Sequence, residues 1–166
     1  FGDFSCDTLE KGYDTMRGYQ NVLDDVNRKK LSKSNQLTYD ILDLYFQTEL
    51  RSEPYLLYEE PLGATIGIQA QLPVLLAEYR FETKKDIKEY LNLLQKLPGY
   101  YRSLAEFEEE KASAGLFMSD RSLDHILQQC REFIGNTQSN YLLEVFDSKI
   151  DRFTNLTEEE KITFKE

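Results

Sequence analysis

The sequence predicts an all-α fold: an array of six or seven helices broken by one irregular, Gly/Pro-rich insertion that could hold a short β segment. Three observations carry that prediction. The 166 residues are 30% charged and 40% apolar, a balance that suits amphipathic helices with a broad solvated face. Apolar residues recur three and four apart through most of the chain. Capping residues, Ser, Thr or Asp before such stretches and Gly after them, punctuate it at intervals of one helix. The exception is EEPLGATIGIQAQLP, Glu59 to Pro73. From Leu62 to Ala77 no side chain is charged, and two glycines and two prolines break the segment into short pieces.

Taken in order, Thr8 to about Lys30 has helical spacing in Leu9, Tyr13, Met16, Tyr19, Leu23 and Val26, with Asp7 as N-cap. Gly12 and Gly18 weaken it by up to about 1 kcal/mol each relative to Ala. LSKSN is a turn, and Ser32 or Ser34 caps a second helix to about Ser52 with a core stripe of Leu37, Ile41, Leu44, Tyr45 and Leu50. Pro54 ends it. Tyr55 to Glu60 reads as extended, Ile66 and Ile68 as one face of a short strand, and Pro73 as the first residue of a short helix, Val74 to Tyr79. Thr83 with Asp86 opens the next helix, lined by Ile87, Leu91, Leu94 and Leu97. Leu97 to Gly99 reads as a tight corner before a helix from Tyr100 to about Ala114, with Tyr101, Leu104, Phe107 and Lys111 on one side and Gly115 as the stop. Ser119 or Asp120 caps a helix with Leu123, Ile126, Leu127, Cys130 and Phe133 inward, closed by Gly135. Asn136 to Asn140 is a polar corner before a helix to about Arg152. Thr157 and Glu160 form a capping box for a final helix with acidic residues in its first turn. A strong start signal without a stop signal reads as a helix cut short.

The formal charge of −10 argues against a nucleic-acid partner, which needs clustered Lys and Arg, and against an anionic membrane surface. No apolar run is long enough to span a membrane. No signal-peptide pattern is readable before Phe1, so either one was removed or the chain starts inside a longer gene product. Cys6 and Cys130 form neither CxxC nor a zinc spacing; they either pair in one long-range disulfide or stay as idle thiols. The one histidine, His125, lies beside Asp124 on the flank of an amphipathic helix, and one His with a distant Cys does not make a zinc site. The run Glu106 to Lys111 is a solvated helix face, because helical spacing spreads its carboxylates. No HExxH, GxSxG, Walker or GxGxxG pattern occurs. Catalytic residues are therefore assigned to none of these positions.

The collinear segments LTYDILDLYFQTEL, LLYEEPLGATIGIQAQLPVLLAEYRFETKKDIKEYLNLLQKLP and EFEEEKASAGLFMSD resemble the bacterial domain-of-unknown-function family 885. The match is close from Phe1 to about Ile134, strongest from Leu57 to Leu97, and looser beyond. Members of that family resemble zincin-like metallopeptidases, some of them secreted or lipid-anchored, whose HExxH-type zinc motif lies in the C-terminal half of a longer helical protein. The resemblance implies that this chain is a single helical domain, residues 1–166, from the non-catalytic N-terminal region of such a hydrolase, with 55–72 as its irregular insertion. It implies no cofactor in this chain and zinc in the full-length parent. It leaves the compartment open between export and the cytoplasm.

The expected partners are the C-terminal region of the same polypeptide and a peptide substrate, with self-association of the isolated chain through an uncovered apolar patch. The candidate contact residues, for a substrate cleft or for the missing region, are Tyr58, Leu62, Gly63, Ile66, Gly67, Gln69 and Gln71. A buried irregular connection would account for the same segment. A stand-alone helical peptide- or protein-binding module is the alternative function.

Overall fold

The structure, a computed structural model, describes residues 2–135 and 140–165. It is all-α: seven α-helices and no strand among the described residues. They are α1 (Cys6–Asp24), α2 (Lys33–Ser52), α3 (Ile68–Glu78), α4 (Lys84–Ser113), α5 (Asp120–Ile134), α6 (Tyr141–Arg152) and α7 (Glu158–Lys165), with 3-10 turns at Arg28–Lys30 and Glu53–Tyr58. Two compact units divide the chain: Gly2–Glu59 with Gly99–Leu116, and Glu60–Pro98 with Phe117–Glu166.

In the first unit α1 and α2 form an antiparallel hairpin. Gln20 Nε2 donates to Asp43 (2.8 Å), Tyr13 and Ser52 share a hydroxyl contact (3.2 Å), and Tyr19 stacks on Phe46. The expected first helix is shorter than its spacing suggested. It stops at Asp24, where two consecutive acids oppose the negative helix end. Arg28 then pins a separate turn with a two-pronged bond to Asp40, 2.6 Å on each side. Ser5, not Asp7, occupies the N-cap; Asp7 sits in the first turn and pairs with Lys11 at 2.5 Å. Leu23, Leu104 and Phe107 are buried in this unit, and Phe4 packs edge-on against Phe107 at 5.0 Å.

The stripe assigned to the core of α2 is not in a core. Leu37, Ile41, Leu44 and Tyr45 are all exposed, Leu44 to 67%. At 100° per residue, Leu37, Ile41 and Leu44 lie on the side opposite Asp43, Phe46 and Leu50, which face α1. The helix is apolar on two sides and is covered on one.

Tyr55 to Tyr58 is not extended; the chain leaves the helical turn only at Glu59, ψ 138°. Pro54 enters at the start of a helical turn, and α2 passes directly into the 3-10 segment. Tyr55 and Tyr58, three apart and therefore nearly eclipsed, meet edge to face at 5.9 Å. Nor is Leu97–Gly99 a corner. α4 runs through Pro98, which removes only one ladder bond. The reason is legible in the spacing: buried or half-buried residues recur three or four apart on both sides of Pro98, at Ile87, Tyr90, Leu94 and Leu97 and again at Tyr100, Leu104, Phe107 and Lys111. The helix ends as anticipated at Gly115, φ +77°. Leu116 N–H reaches Lys111 O and Gly115 N–H reaches Ala112 O, the paired bonds of a Schellman stop.

The second unit packs Leu72, Leu76, Ile87, Tyr90, Ile126, Phe146, Ile150 and Leu156. Its centre is aromatic: Tyr90 stacks on Phe146 at 5.6 Å, and Phe81 stands edge-on to both. Ile126 carries α5 into the core and Cys130 and Phe133 are half-buried, whereas Leu123 and Leu127 are exposed. The anticipated capping boxes form. Asp86 accepts from Thr83 N–H and Glu82 N–H, and Thr157 and Glu160 bond reciprocally at 2.9 and 3.2 Å. Ser119 and Asn140 cap α5 and α6. Of the expected corner at 136–140, residues 136–139 lie outside the described residues.

Candidate functional site

The uncharged segment folds as a closed loop at the entrance to α3. Ile68 and Pro73 were expected in a strand and at a helix start, yet the helix begins at Ile68 and contains Pro73. Its first turn is organised earlier than the proline. Ile68 N–H donates to Pro61 O (2.9 Å), tying off the loop, and Ala70 and Gln71 N–H both donate to Gly67 O. Gly67 is buried, with extended backbone, so it closes α3 at its N-terminus without a side chain.

Two glutamines hold the loop from inside. Gln69, 9% exposed, donates through Nε2 to Gly63 O (2.7 Å) and to Gln129 Oε1 on α5 (2.9 Å). Gln129 Nε2 in turn donates to Ala64 O (2.9 Å). Gln69 Oε1 is buried without a hydrogen-bond partner. The backbone folds so tightly that a Cβ on Gly67 would sit 2.4 Å from Gly63 N and 2.1 Å from Gln69 Oε1, and one on Gly63 2.8 Å from Ile66 O. Both glycines are there because backbone approaches backbone.

The candidate residues thus fall into three groups. Gly63, Gly67 and Gln69 build the loop and face inward, with Leu62 half-buried. Ile66, 70% exposed, and Gln71 are presented to solvent. Tyr58, 65% exposed and packed on Tyr55, belongs to the first unit, and the other six to the second. Sequence reasoning missed Gln129. The available signal was an amide on the same side of α5 as buried Ile126 and half-buried Phe133.

Chemically, the loop offers backbone groups, the amides that hold it, the exposed Thr65 hydroxyl and the exposed aliphatic side chain of Ile66, and no ionisable group. His125 is exposed on α5, and no group of three or more His, Cys, Asp or Glu is placed to hold a metal ion among the described residues. The residues present do not fit a zinc site, so no zinc-dependent step is assigned to them. Cys6 and Cys130 are free. No helix among the described residues is long and apolar enough to cross a membrane.

A separate cleft of about 790 Å³ in the same unit lies along Ala77–Glu82 against Lys149, Arg152 and Phe153. Lys149 is structural there. Its Nζ donates to Ala77 O and to Tyr79 O (2.6 Å), capping the last carbonyls of α3, and it lies 5.5 Å from the Phe81 ring centre. Burial lowers its pKa, while Glu78 opposes that shift.

A family model described as a bacterial protein of unknown function (DUF885) matches residues 1–165. No curated protein and no solved structure matches.

Proposed function

This chain belongs to the DUF885 family of bacterial proteins, and on that premise we propose that it is the non-catalytic helical part of a zincin-like peptidase, built to receive the region that carries the zinc motif. The observation that supports the reading is the outer stripe of α2. Leu37, Ile41, Leu44 and Tyr45 have the spacing of a packed helix face, and nothing in their own unit covers them. A helix apolar on two opposite sides is a middle helix of a larger assembly. The Ile66 loop is a second contact, an aliphatic tip on a support made rigid by Gln69 and Gln129. Its absence of charge suits a surface that becomes desolvated, where an unpaired charge is costly.

The test is made on the full gene product. Bound zinc is measured by elemental analysis and cleavage by release of fragments from an unstructured peptide mixture. The expected result is zinc and cleavage in the full product, with activity reduced by Leu44→Asp or Ile66→Asp while helix content is kept. A reading frame without an HExxH-type motif, or a full product without zinc, would overturn the peptidase reading and leave the stand-alone binding module. Full activity in a folded Ile66→Asp protein would remove the loop from the contact.

A further inference from the structure

We infer that the first unit carries a peptide-docking groove that accepts one bulky apolar side chain next to a lysine or arginine. The groove, about 310 Å³, runs along the side of α1 and is lined by Leu9, Gly12, Met16 and Leu56 among others. It is distinct from the α2 stripe and does not depend on the peptidase reading.

Two independent features say what fits it. The first is Gly12. It lies in mid-helix, away from any turn, with a helical φ, and an added Cβ would meet nothing within 4 Å. Neither backbone strain nor close packing within the chain calls for glycine there, although glycine weakens the helix. What the missing side chain leaves is room in the groove lined also by Leu9 and Met16, for a side chain from elsewhere.

The second feature is charge at the rim. Glu49 and Glu59 both line the groove. Their backbones are held, since Ser52 Oγ donates to Glu49 O and Lys111 Nζ donates to Glu59 O, each at 2.6 Å. Their carboxylates have no hydrogen-bond or ion-pair partner among the described residues. Nearby Glu53, by contrast, is matched by Arg17 at 2.5 Å. Two unmatched carboxylates lining an apolar slot complement a cation carried beside an apolar anchor, and they reject an acidic peptide. The chain's charge of −10 adds to that selectivity at a distance.

The experiment is fluorescence anisotropy with the 166-residue chain and three fluorescein-labelled peptides, Lys-Phe-Lys, Glu-Phe-Glu and Lys-Ala-Lys, each flanked by Gly-Ser. Lys-Phe-Lys is expected to bind at least roughly tenfold more tightly than either of the others, since losing one buried aromatic anchor alone is worth that factor or more. Gly12→Leu fills the slot and should abolish the preference for Phe over Ala. Because it replaces a poor helix former with a good one in open space, its melting temperature should equal or exceed that of the parent chain. Glu49→Gln with Glu59→Gln should erase the preference for Lys over Glu and flatten the salt dependence. Equal binding of Lys-Phe-Lys and Lys-Ala-Lys would overturn the inference. So would undiminished binding to a folded Gly12→Leu protein, or no binding of Lys-Phe-Lys at millimolar peptide.

Discussion

Gln69 and Gln129, sixty residues apart, are joined side chain to side chain, and each also holds a carbonyl of the same loop: Gly63 O for Gln69 and Ala64 O for Gln129. The loop from Pro61 to Gly67 therefore takes its shape from α3 and α5 as much as from its own sequence. Gln129→Leu keeps most of the volume and removes both bonds, leaving Gln69 with one. Leaving buried amide and carbonyl groups unpaired costs about 1–3 kcal/mol. The expected outcome is a destabilisation of that size in urea, with amide exchange at Gly63 to Ile68 accelerated more than at α6. Uniform acceleration across the unit would mean that the pair is not a local clamp.

Much of this architecture was legible in the chain, and the exceptions have separable causes. Caps are local chemistry, so Asp86, Gly115 and Thr157 could be read directly, and Ser32 and Ser119 to within one alternative each, Ser34 and Asp120. Pro98 misled because proline's local preference was weighed above the spacing of the stripe around it, whereas α2 does end at Ser52, ahead of Pro54, as expected. The three-and-four spacing of buried and half-buried residues runs on from Ile87 to Lys111 through Pro98, and that continuity outweighs one lost bond. Leu37, Ile41 and Leu44 misled for another reason: spacing shows that a helix face is apolar, not that anything in the same unit packs on it. The Gln69–Gln129 pair was illegible because nothing local relates positions 69 and 129.

Two glycines make opposite predictions. At Gly67 a Cβ would meet the backbone of Gly63 at 2.4 and 2.7 Å, which no side-chain rotation relieves. Gly67→Ala should destabilise by about 1–3 kcal/mol, as other forced overpacking does. At Gly18, mid-helix in α1 with nothing within 4 Å, Gly18→Ala should stabilise by up to about 1 kcal/mol. Paired thermal melts of the two variants settle the matter. A tolerated Gly67→Ala would show that the tight loop is not required for the fold.

Cys6 should be chemically quiet. Burial first, and then Glu110 beside it, push its thiol up to about 12. At pH 8 that leaves roughly one thiol in ten thousand ionised, and the thiolate is the reactive form. Iodoacetamide at pH 8 should label Cys6 at least about a hundredfold more slowly in the folded chain than in the denatured one. Glu110→Gln should speed the folded reaction by removing the charge that opposes ionisation. Equal folded and denatured rates would contradict the placement of the thiol.

The acid limb of the stability curve should report on two helix starts. Asp86 is held below the usual carboxylate range first by Thr83 N–H and then by Glu82 N–H. Glu160 is held down first by its bond to Lys84 and next by Thr157 N–H. Both carboxylates bind protons more weakly in the folded chain than in the unfolded one. Their contribution is therefore fully present above the unfolded value, about 4, and is lost as the pH falls below that through the folded value. Urea midpoints measured from pH 6 to pH 2 should fall on that side. Asp86→Asn and Glu160→Gln should each start lower at pH 6 and lose less on acidification, so that the curves converge near pH 2. Salt separates the two sites. Lys84 and Glu160 form an exposed ion pair (2.7 and 2.8 Å), which ions screen, whereas Asp86 is held first by neutral N–H groups and only last by the charge of Lys85. Raising the ionic strength should shrink the Glu160 effect more than the Asp86 effect. Parallel curves for variant and parent across the whole pH range would show that these caps do not titrate with folding.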